Sequence, residues 1–152
     1  MKYEAKRVNY GILVAVDLAL QPRQVPVQAK AIAKRQSIPA RFLEHVLNAM
    51  KRAGLVESTR GAQGGYVLSK PPAELSLAQI VEALDGPIVV PQSLATRAAS
   101  TARRGSEQQA LLAGIWSRLR QAEMDVLNRI TLKDVVEDYD ALHHRHSPMY
   151  HI

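Results

Sequence analysis

The chain has 152 residues, a formal net charge of +6 and no cysteine, which limits it to one domain of ordinary size or to a small domain with an added assembly element. Without cysteine, disulfides, thiolate metal sites and cysteine nucleophiles are excluded. Because no apolar run approaches transmembrane length and no signal-peptide core lies near the first residue, we expect a soluble, cytoplasmic protein with no membrane partner.

The first predicted element is a largely buried helix over residues 7–20. Its apolar content is almost continuous, so it is expected to pack against more than one neighbour. Asp17 interrupts this apolar run, and a lone carboxylate in such a helix is expected to be paired or to lie at the rim of the buried face. Two prolines in residues 21–26 then indicate a loop.

Two helices separated by a tight turn follow, over residues 27–35 and 39–53. In the first helix, Lys30, Lys34 and Arg35 are predicted to point outward, where they could meet a DNA backbone. Ser37 in the turn is a candidate cap for the second helix, and exposed backbone N–H groups there would favour an anion.

The second helix has two contrasting faces. Its apolar residues recur at helical spacing and are expected to pack, whereas the opposite face is polar and could read DNA. The polar face comprises Arg41, Glu44, His45, Asn48 and Arg52.

Two short strand-forming segments come next, over residues 55–59 and 66–69, and a glycine-rich turn joins them. Three glycines in six residues permit positive φ angles and a close approach of the backbone to a partner. Arg60, which opens the turn, suits a phosphate or a narrow minor groove. The further candidate contacts in the turn are Gly61, Gln63 and Gly64.

Helix, turn, helix and hairpin, in this order, predict a winged helix-turn-helix DNA-binding domain over residues 1–87. The expected fold is mostly α with a small antiparallel β wing.

Residues 1–70 hold twelve Lys and Arg against four Asp and Glu, whereas residues 71–152 hold eight against ten. Since cations that neutralise phosphates supply most nonspecific DNA affinity, double-stranded DNA is the predicted partner, with a solvated basic surface as the alternative.

The second half is predicted to contain three helices. Ser76 and Gln79 form a capping box that opens a short helix, and a second box at Ser106 is expected to open the longest helix in the chain. Between them, residues 88–105 are rich in Ala, Ser, Thr and Arg and are predicted to form a flexible loop. Thr131 is the expected cap of a final helix that ends near residue 142.

An apolar stripe runs along about six turns of the longest helix. So small a domain cannot bury this stripe against its own residues, whereas two such helices crossing in a homodimer would bury it. Trp116 is expected at the interface or lining a pocket. The residues assigned to dimerisation are Leu112, Ile115, Leu119, Val126 and Ile130.

Residues 143–152 form a histidine-rich tail. Its imidazoles could bind zinc, nickel or copper, which makes a metal-responsive regulator one alternative. Docking of the apolar residues at the end of the tail on the body or on a partner is at least as plausible. No cofactor is predicted. The weak metal candidates are His143, His144, His146 and His151.

Several motifs of the winged domain together resemble those of a known protein family. They are Tyr10-Gly11, residues 31–33, 38–43 and 53–56, Arg60-Gly61, Gly64-Gly65-Tyr66, Pro71-Pro72 and residues 83–87. This combination closely resembles the bacterial winged-helix regulators typified by the iron–sulfur cluster regulator, the nitric-oxide-sensitive repressor and the cysteine-metabolism repressor. The resemblance is dense over residues 1–87 and looser over residues 106–136.

The resemblance implies a homodimeric transcription regulator, expected to be a repressor, that binds a pseudo-palindromic operator. It implies that the second helix enters the major groove and that Arg60 lies in or beside the minor groove. Arg41, Phe42 and Glu44 occupy the positions from which the family approaches bases. Chemically, Arg41 could donate to guanine and Glu44 could accept from cytosine, whereas Phe42 fits packing equally well.

The chain departs from the iron–sulfur members of this family, which carry three cysteines in the segment that corresponds to residues 88–106. That segment here has no Cys, His, Asp or Glu, so neither an iron–sulfur cluster nor redox sensing by cysteine is expected. The signal that replaces the cluster is left open between a small-molecule effector, a metal at the histidine tail and a protein partner.

Two other classes of function remain as alternatives. An enzyme is disfavoured because the glycine-rich turn follows no buried strand and leads into no helix, unlike a nucleotide-binding loop. A protein-interaction module that acts by docking a partner enzyme is the main alternative. Salt-dependent binding to duplex DNA would distinguish a regulator from such a module.

Overall fold

The computed structural model describes residues 6–85 and 103–146. It is mostly helical with one small antiparallel sheet, which confirms the predicted winged-helix fold class. None of the helices in these two ranges is both long and apolar enough to cross a membrane. In chain order the elements are α1 (Lys6–Leu20), α2 (Ala29–Gln36), α3 (Ala40–Arg52), β1 (Val56–Thr59), β2 (Gly65–Leu68), a 3-10 turn (Pro72–Glu74), α4 (Leu77–Asp85), α5 (Arg103–Arg129) and α6 (Leu132–His146).

The core lies where α1, α3 and α4 meet, and α1 contacts α2, α3, α4, α6 and β2. Val14, Leu43 and Ile80 are fully buried there. A Cβ at Gly11 would lie 1.9 Å from Leu84 Cδ1, so the Leu84 side chain of α4 fills the space that the glycine leaves on α1. The prediction that α1 packs against several neighbours is confirmed.

The wing is joined to the chain segment that precedes α2. The Tyr66 N–H donates to the Val27 carbonyl at 2.8 Å, and the Val27 N–H donates to the Tyr66 carbonyl at 3.0 Å. Because its backbone is engaged in this way, Val27 does not belong to α2, which begins at Ala29 rather than at the predicted residue 27. Gly65 has φ +153°, and a Cβ there would lie 2.4 Å from the Val27 carbonyl oxygen.

Asp17 is paired, as expected, and its charged partner is Arg35 of α2. The Arg35 guanidinium donates to both carboxylate oxygens of Asp17, at 2.9 and 2.8 Å, and the Gln36 amide adds a third bond at 3.0 Å. The Asp17 side chain is 2% exposed and that of Arg35 is 42% exposed. The hydrogen bond with Asp17 raises the pKa of Arg35. Arg35 therefore ties α2 to α1, and because its side chain remains exposed, its contact with a DNA backbone stays a prediction.

The predicted capping box at Ser76 and the predicted cap at Thr131 are both present. The Ser76 N–H donates to Gln79 Oε1 at 3.0 Å, and the Gln79 N–H donates to Ser76 Oγ at 3.3 Å. Thr131 and Asp134 form the same arrangement at the start of α6, and the hydrogen bond from the Thr131 backbone N–H lowers the pKa of Asp134.

The ends of the last two helices differ from prediction. α5 begins at Arg103, three residues before the Ser106 box, because arginine is a strong helix former and Gly105 is tolerated there. α6 continues to His146 rather than ending near residue 142, since no glycine or proline interrupts it before Pro148. The rest of the predicted loop, residues 88–102, and the end of the tail, residues 147–152, lie outside the described residues.

Candidate nucleic-acid interface

Helix α3 exposes the polar face predicted from the sequence. Its opposite face is buried through Leu43, Val46, Leu47, Ala49 and Met50. This burial fixes the rotation of the helix about its axis. The predicted reading residues Arg41, Glu44, His45 and Asn48 are all exposed, and their spacing of three and four residues places them on one side of the helix.

Phe42 lies at the border of this face. Its ring packs against Tyr10 of α1, with the ring centroids 6.0 Å apart and the planes at 57°, and its side chain is still 44% exposed. One side of the ring therefore packs within the protein. The other side is open to a partner, so both roles considered for Phe42 are compatible with its position.

Ser37 does not cap α3, which corrects the prediction from its position in the turn. Ser37 follows the last residue of α2 with left-handed angles, φ 53° and ψ 43°. The residue that precedes α3 is Pro39, and no side chain caps that helix. Ser37 itself is exposed, so its contact with DNA stays a prediction.

Two lysines of α2 remain candidates for backbone contacts. Lys30 and Lys34 are both exposed and are one helical turn apart. Their contact with a phosphate backbone stays a prediction.

The wing presents part of its predicted contact set. Arg60, Gly61 and Gln63 are exposed at its tip, and Gly61 has φ +110°. Gly64 is instead buried: its N–H donates to the Gly61 carbonyl at 3.0 Å, and a Cβ there would lie 2.1 Å from the Thr59 carbonyl oxygen. Gly64 therefore shapes the turn and is not positioned as a contact.

A hydrogen bond that the sequence pattern did not indicate holds the wing tip. The side-chain amide of Gln28 donates to the Ala62 carbonyl at 3.2 Å. Gln28 directly precedes α2, so the tip is fixed relative to the helix-turn-helix. Nothing in the local sequence around Gln28 indicates a hydrogen bond to Ala62.

A basic hollow opens where the start of α1 meets the second half of α3. It encloses about 360 Å³, and its lining side chains are Arg7, His45, Asn48, Lys51 and Arg52. His45 and Asn48 also belong to the reading face, so the two surfaces are continuous. Arg7 and Lys51 were not among the predicted contacts, and the only sequence signal for them is the excess of positive charge in residues 1–70.

Helix α5 carries the apolar stripe expected of a dimerisation helix. Leu112, Ile115, Leu119 and Val126 are between 47% and 54% exposed. Ile130 lies just beyond the helix and packs against the core of its own chain. Trp116 is also on α5 and is 57% exposed.

An apolar groove of about 460 Å³ adjoins the stripe. It runs between α1, α4 and α5, and Val8, Ile12, Val81, Val126 and Leu127 contribute to its walls. The stripe and the groove together form a continuous surface that is suited to a protein partner.

The histidines of the tail that the structure describes make other contacts. The His143 ring stacks on Tyr139 with the centroids 5.3 Å apart, and His144 Nδ1 lies 2.7 Å from the Asp140 carbonyl oxygen. Within residues 6–85 and 103–146, no group of three or more His, Asp or Glu side chains is placed to hold a metal ion. The side chain of His146 and the whole of His151 lie outside the described residues.

Comparison with known proteins gives a consistent result. The chain is 36% identical over 130 residues to slr0846 of Synechocystis sp., described as a candidate HTH-type transcriptional regulator, and the match covers 86% of this chain and 84% of that protein. It is 30% identical over 132 residues to the HTH-type transcriptional regulator CymR of Bacillus subtilis, covering 87% and 88%. The solved structure of IscR from T. potens matches with a TM-score of 0.71 and 28% identity, covering 97% of this chain and 95% of that one.

A family model described as an iron-dependent transcriptional regulator, that of Rrf2, matches residues 5–138. Iron centres in proteins are held by thiolate, imidazole or carboxylate groups. This chain has no cysteine, and its described residues bring no three suitable side chains together, so the donor groups within residues 6–85 and 103–146 do not fit such a centre. The family match nevertheless extends over most of the sequence, and the chain belongs to the Rrf2 family of transcriptional regulators.

Proposed function

We propose that this protein is a sequence-specific DNA-binding repressor that acts as a homodimer on a two-fold symmetric operator and needs no iron–sulfur cluster. The observation that carries the proposal is the exposed polar face of α3, which lies beside a wing that presents Arg60. Membership of a family of transcriptional regulators supports the same conclusion.

The chemistry of the α3 face suits the major groove. The Arg41 guanidinium can donate two hydrogen bonds to the acceptor edge of guanine, and the Glu44 carboxylate can accept from the amino group of cytosine. His45 and Asn48 add further hydrogen-bonding groups on the same side of the helix. A face that combines donors and acceptors in this way can distinguish base pairs, which a uniformly cationic face cannot.

The remaining exposed groups suit the DNA backbone and the minor groove. Lys30 and Lys34 can neutralise phosphates that border the groove entered by α3. Arg60 lies at the tip of the wing, where a narrow minor groove with its strong negative potential would attract a guanidinium. These contacts set affinity and register, and they add little base discrimination.

A second copy of this chain is the proposed partner for the stripe on α5. The helix has 27 residues and is therefore about 40 Å long, and its leucines, isoleucine and valine remain about half exposed within the described residues of one chain. A two-fold contact buries the same surface on both copies. It also presents two reading helices to the two halves of a symmetric site.

Repression is the simplest outcome of such binding, because a dimer that covers its operator excludes other proteins from the same DNA. An activator would need an additional contact with the transcription machinery.

Selection of binding sites from a random duplex library, with the purified protein at two salt concentrations, tests the proposal. We expect a two-fold symmetric sequence to be enriched at both concentrations, with lower total binding at the higher one. Enrichment of an asymmetric motif would contradict the dimer. The absence of any enrichment, with duplex affinity independent of salt, would contradict DNA binding and favour a protein-interaction module.

Substitutions on α3 and on the wing should have different effects in the same selection. We expect Arg41→Ala or Glu44→Ala to relax base preference at particular positions by about tenfold or more. Arg60→Ala should instead weaken binding to most duplexes and reduce the salt slope by about 0.9 per lost phosphate contact, and therefore by about 1.8 for a dimer. Lys133→Ala on the exposed side of α6 serves as a control. Uniform losses for all three substitutions would show that Arg41 and Glu44 do not read bases.

A further inference from the structure

We propose that the basic hollow binds DNA phosphates that flank the bases approached by α3. This inference rests on the proposed function and extends it, because it adds a backbone-binding site outside the helix-turn-helix and the wing. Its central members are Arg7 of α1 and Lys51 and Arg52 of α3, which line the hollow together.

The length of α3 indicates why its last turn should meet the DNA backbone. Arg41 and Arg52 are eleven residues apart, which corresponds to about 16 Å along a helix. The major groove is about 12 Å wide. If the first turns of α3 reach the base edges, as in helix-turn-helix proteins generally, the last turn lies beyond the groove and beside the bordering phosphates.

The charge and shape of the hollow also suit a phosphate. Its lining side chains are three cations, one imidazole and one amide, and no carboxylate among the described residues contributes to its wall. An open space of about 360 Å³ is large enough to admit a phosphate group and its hydration water. The hollow is continuous with the reading face through His45 and Asn48, so a backbone that leaves the groove would cross it.

Arg7 distinguishes phosphate binding from a purely structural explanation for the cations of the hollow. Lys51 and Arg52 lie in the last turn of α3, where cations also complement the negative end of the helix dipole. Arg7 lies on a different helix, so the preference for cations in the last turn of α3 does not explain its presence in the hollow. The contact between Tyr10 and Phe42 holds this end of α1 against α3, which keeps Arg7 within the hollow.

The test uses the full-length protein and the operator obtained by selection. Binding is measured by fluorescence anisotropy as a function of salt for the wild type, Arg7→Gln and Arg52→Gln, with Arg145→Gln on α6 as a matched control. We expect each lost phosphate contact to reduce the slope of log K against log salt by about 0.9, and therefore by about 1.8 for a dimer. The loss of affinity should be the same for the operator and for an unrelated duplex of equal length.

The phosphates involved can be located directly. Ethylation interference on the wild type should reveal phosphates outside the bases read by α3, and the interference at these positions should disappear in Arg7→Gln. A thermal unfolding curve like that of the wild type would show that the variant is correctly folded.

A wild-type salt slope and an unchanged ethylation pattern in Arg7→Gln and Arg52→Gln would overturn the proposal. The same holds if Arg7→Gln lowers the unfolding temperature while the slope stays constant, because Arg7 would then act in packing. Either result leaves the proposed function intact so long as the wild type binds its operator with a steep salt dependence. If operator binding by the wild type itself does not depend on salt, the proposed DNA-binding function is contradicted, and the proposal for the hollow with it.

Discussion

Leu119→Glu is expected to convert the proposed homodimer into a monomer and to abolish operator binding at concentrations that saturate with the wild type. Leu119 lies in the middle of the exposed stripe on α5 and is 47% exposed in the single chain. In a two-fold contact the substitution places two carboxylates in the same apolar interface. Burying such charges without partners is strongly unfavourable, whereas a monomer leaves both in water.

The effect on DNA binding should be larger than the loss of any one contact. A dimer binds its second half-site as an intramolecular event, and this linkage contributes about 100-fold or more to the overall affinity. Sedimentation velocity should show a shift to the mass of one chain, and anisotropy should show the loss of affinity. Val25→Glu is the matched control, because Val25 is 54% exposed but lies in the loop between α1 and α2. An unchanged dimer in Leu119→Glu would place the interface elsewhere.

Arg35→Met should give the largest loss of stability among substitutions of exposed cations. It leaves the buried Asp17 carboxylate without its charged partner, with only the Gln36 amide still bonded to it. We expect a cost of about 3 kcal/mol, at the lower end for a broken buried ion pair because the Arg35 side chain remains partly in contact with water. For a chain of this size the unfolding temperature should fall by about 6–12 °C.

The double substitution Asp17→Leu with Arg35→Met provides the decisive comparison. Replacing both members of a buried pair by apolar side chains is often close to neutral, so the double variant should recover most of the stability that Arg35→Met loses. Lys34→Met is the control, since Lys34 neighbours Arg35 in sequence but is exposed and contacts no carboxylate in the described structure. Equal unfolding temperatures for Arg35→Met and Lys34→Met would show that the pair contributes nothing to stability.

The amino-acid pattern predicts elements well where one strong local rule decides them. The rotation of α3 follows from apolar residues at helical spacing, and the caps at Ser76 and Thr131 follow from side chains that bond the backbone three residues away. The prediction for Ser37 failed. Ser37 ends α2 in a left-handed conformation, and it does not cap α3. The end of α6 was also missed, because a helix without a breaker continues beyond its apolar positions.

Contacts between distant parts of the chain were not predictable in the same way. Lys34 and Arg35 are adjacent cations on one short helix, and only the position of Asp17, eighteen residues before Arg35, distinguishes a tether from a free surface charge. Arg7 joins Lys51 in the basic hollow because α1 packs across α3, and no local spacing signals this arrangement. The candidate site was therefore predicted on α3 and at the wing tip, whereas its extension onto α1 was found only in three dimensions.

Hydrogen bonds fix the wing relative to the helix-turn-helix. They are the paired backbone bonds between Val27 and Tyr66 and the bond from Gln28 to the wing tip. If α3 reads bases and Arg60 enters the minor groove, as proposed, the distance between these two contacts is fixed before DNA is met. One inserted base pair between them moves the second contact by about 3.4 Å along the axis and by about 34° around it. Promoters that differ only in this spacing would escape control, so insertions and deletions inside a half-site separate genes within the regulon from genes outside it.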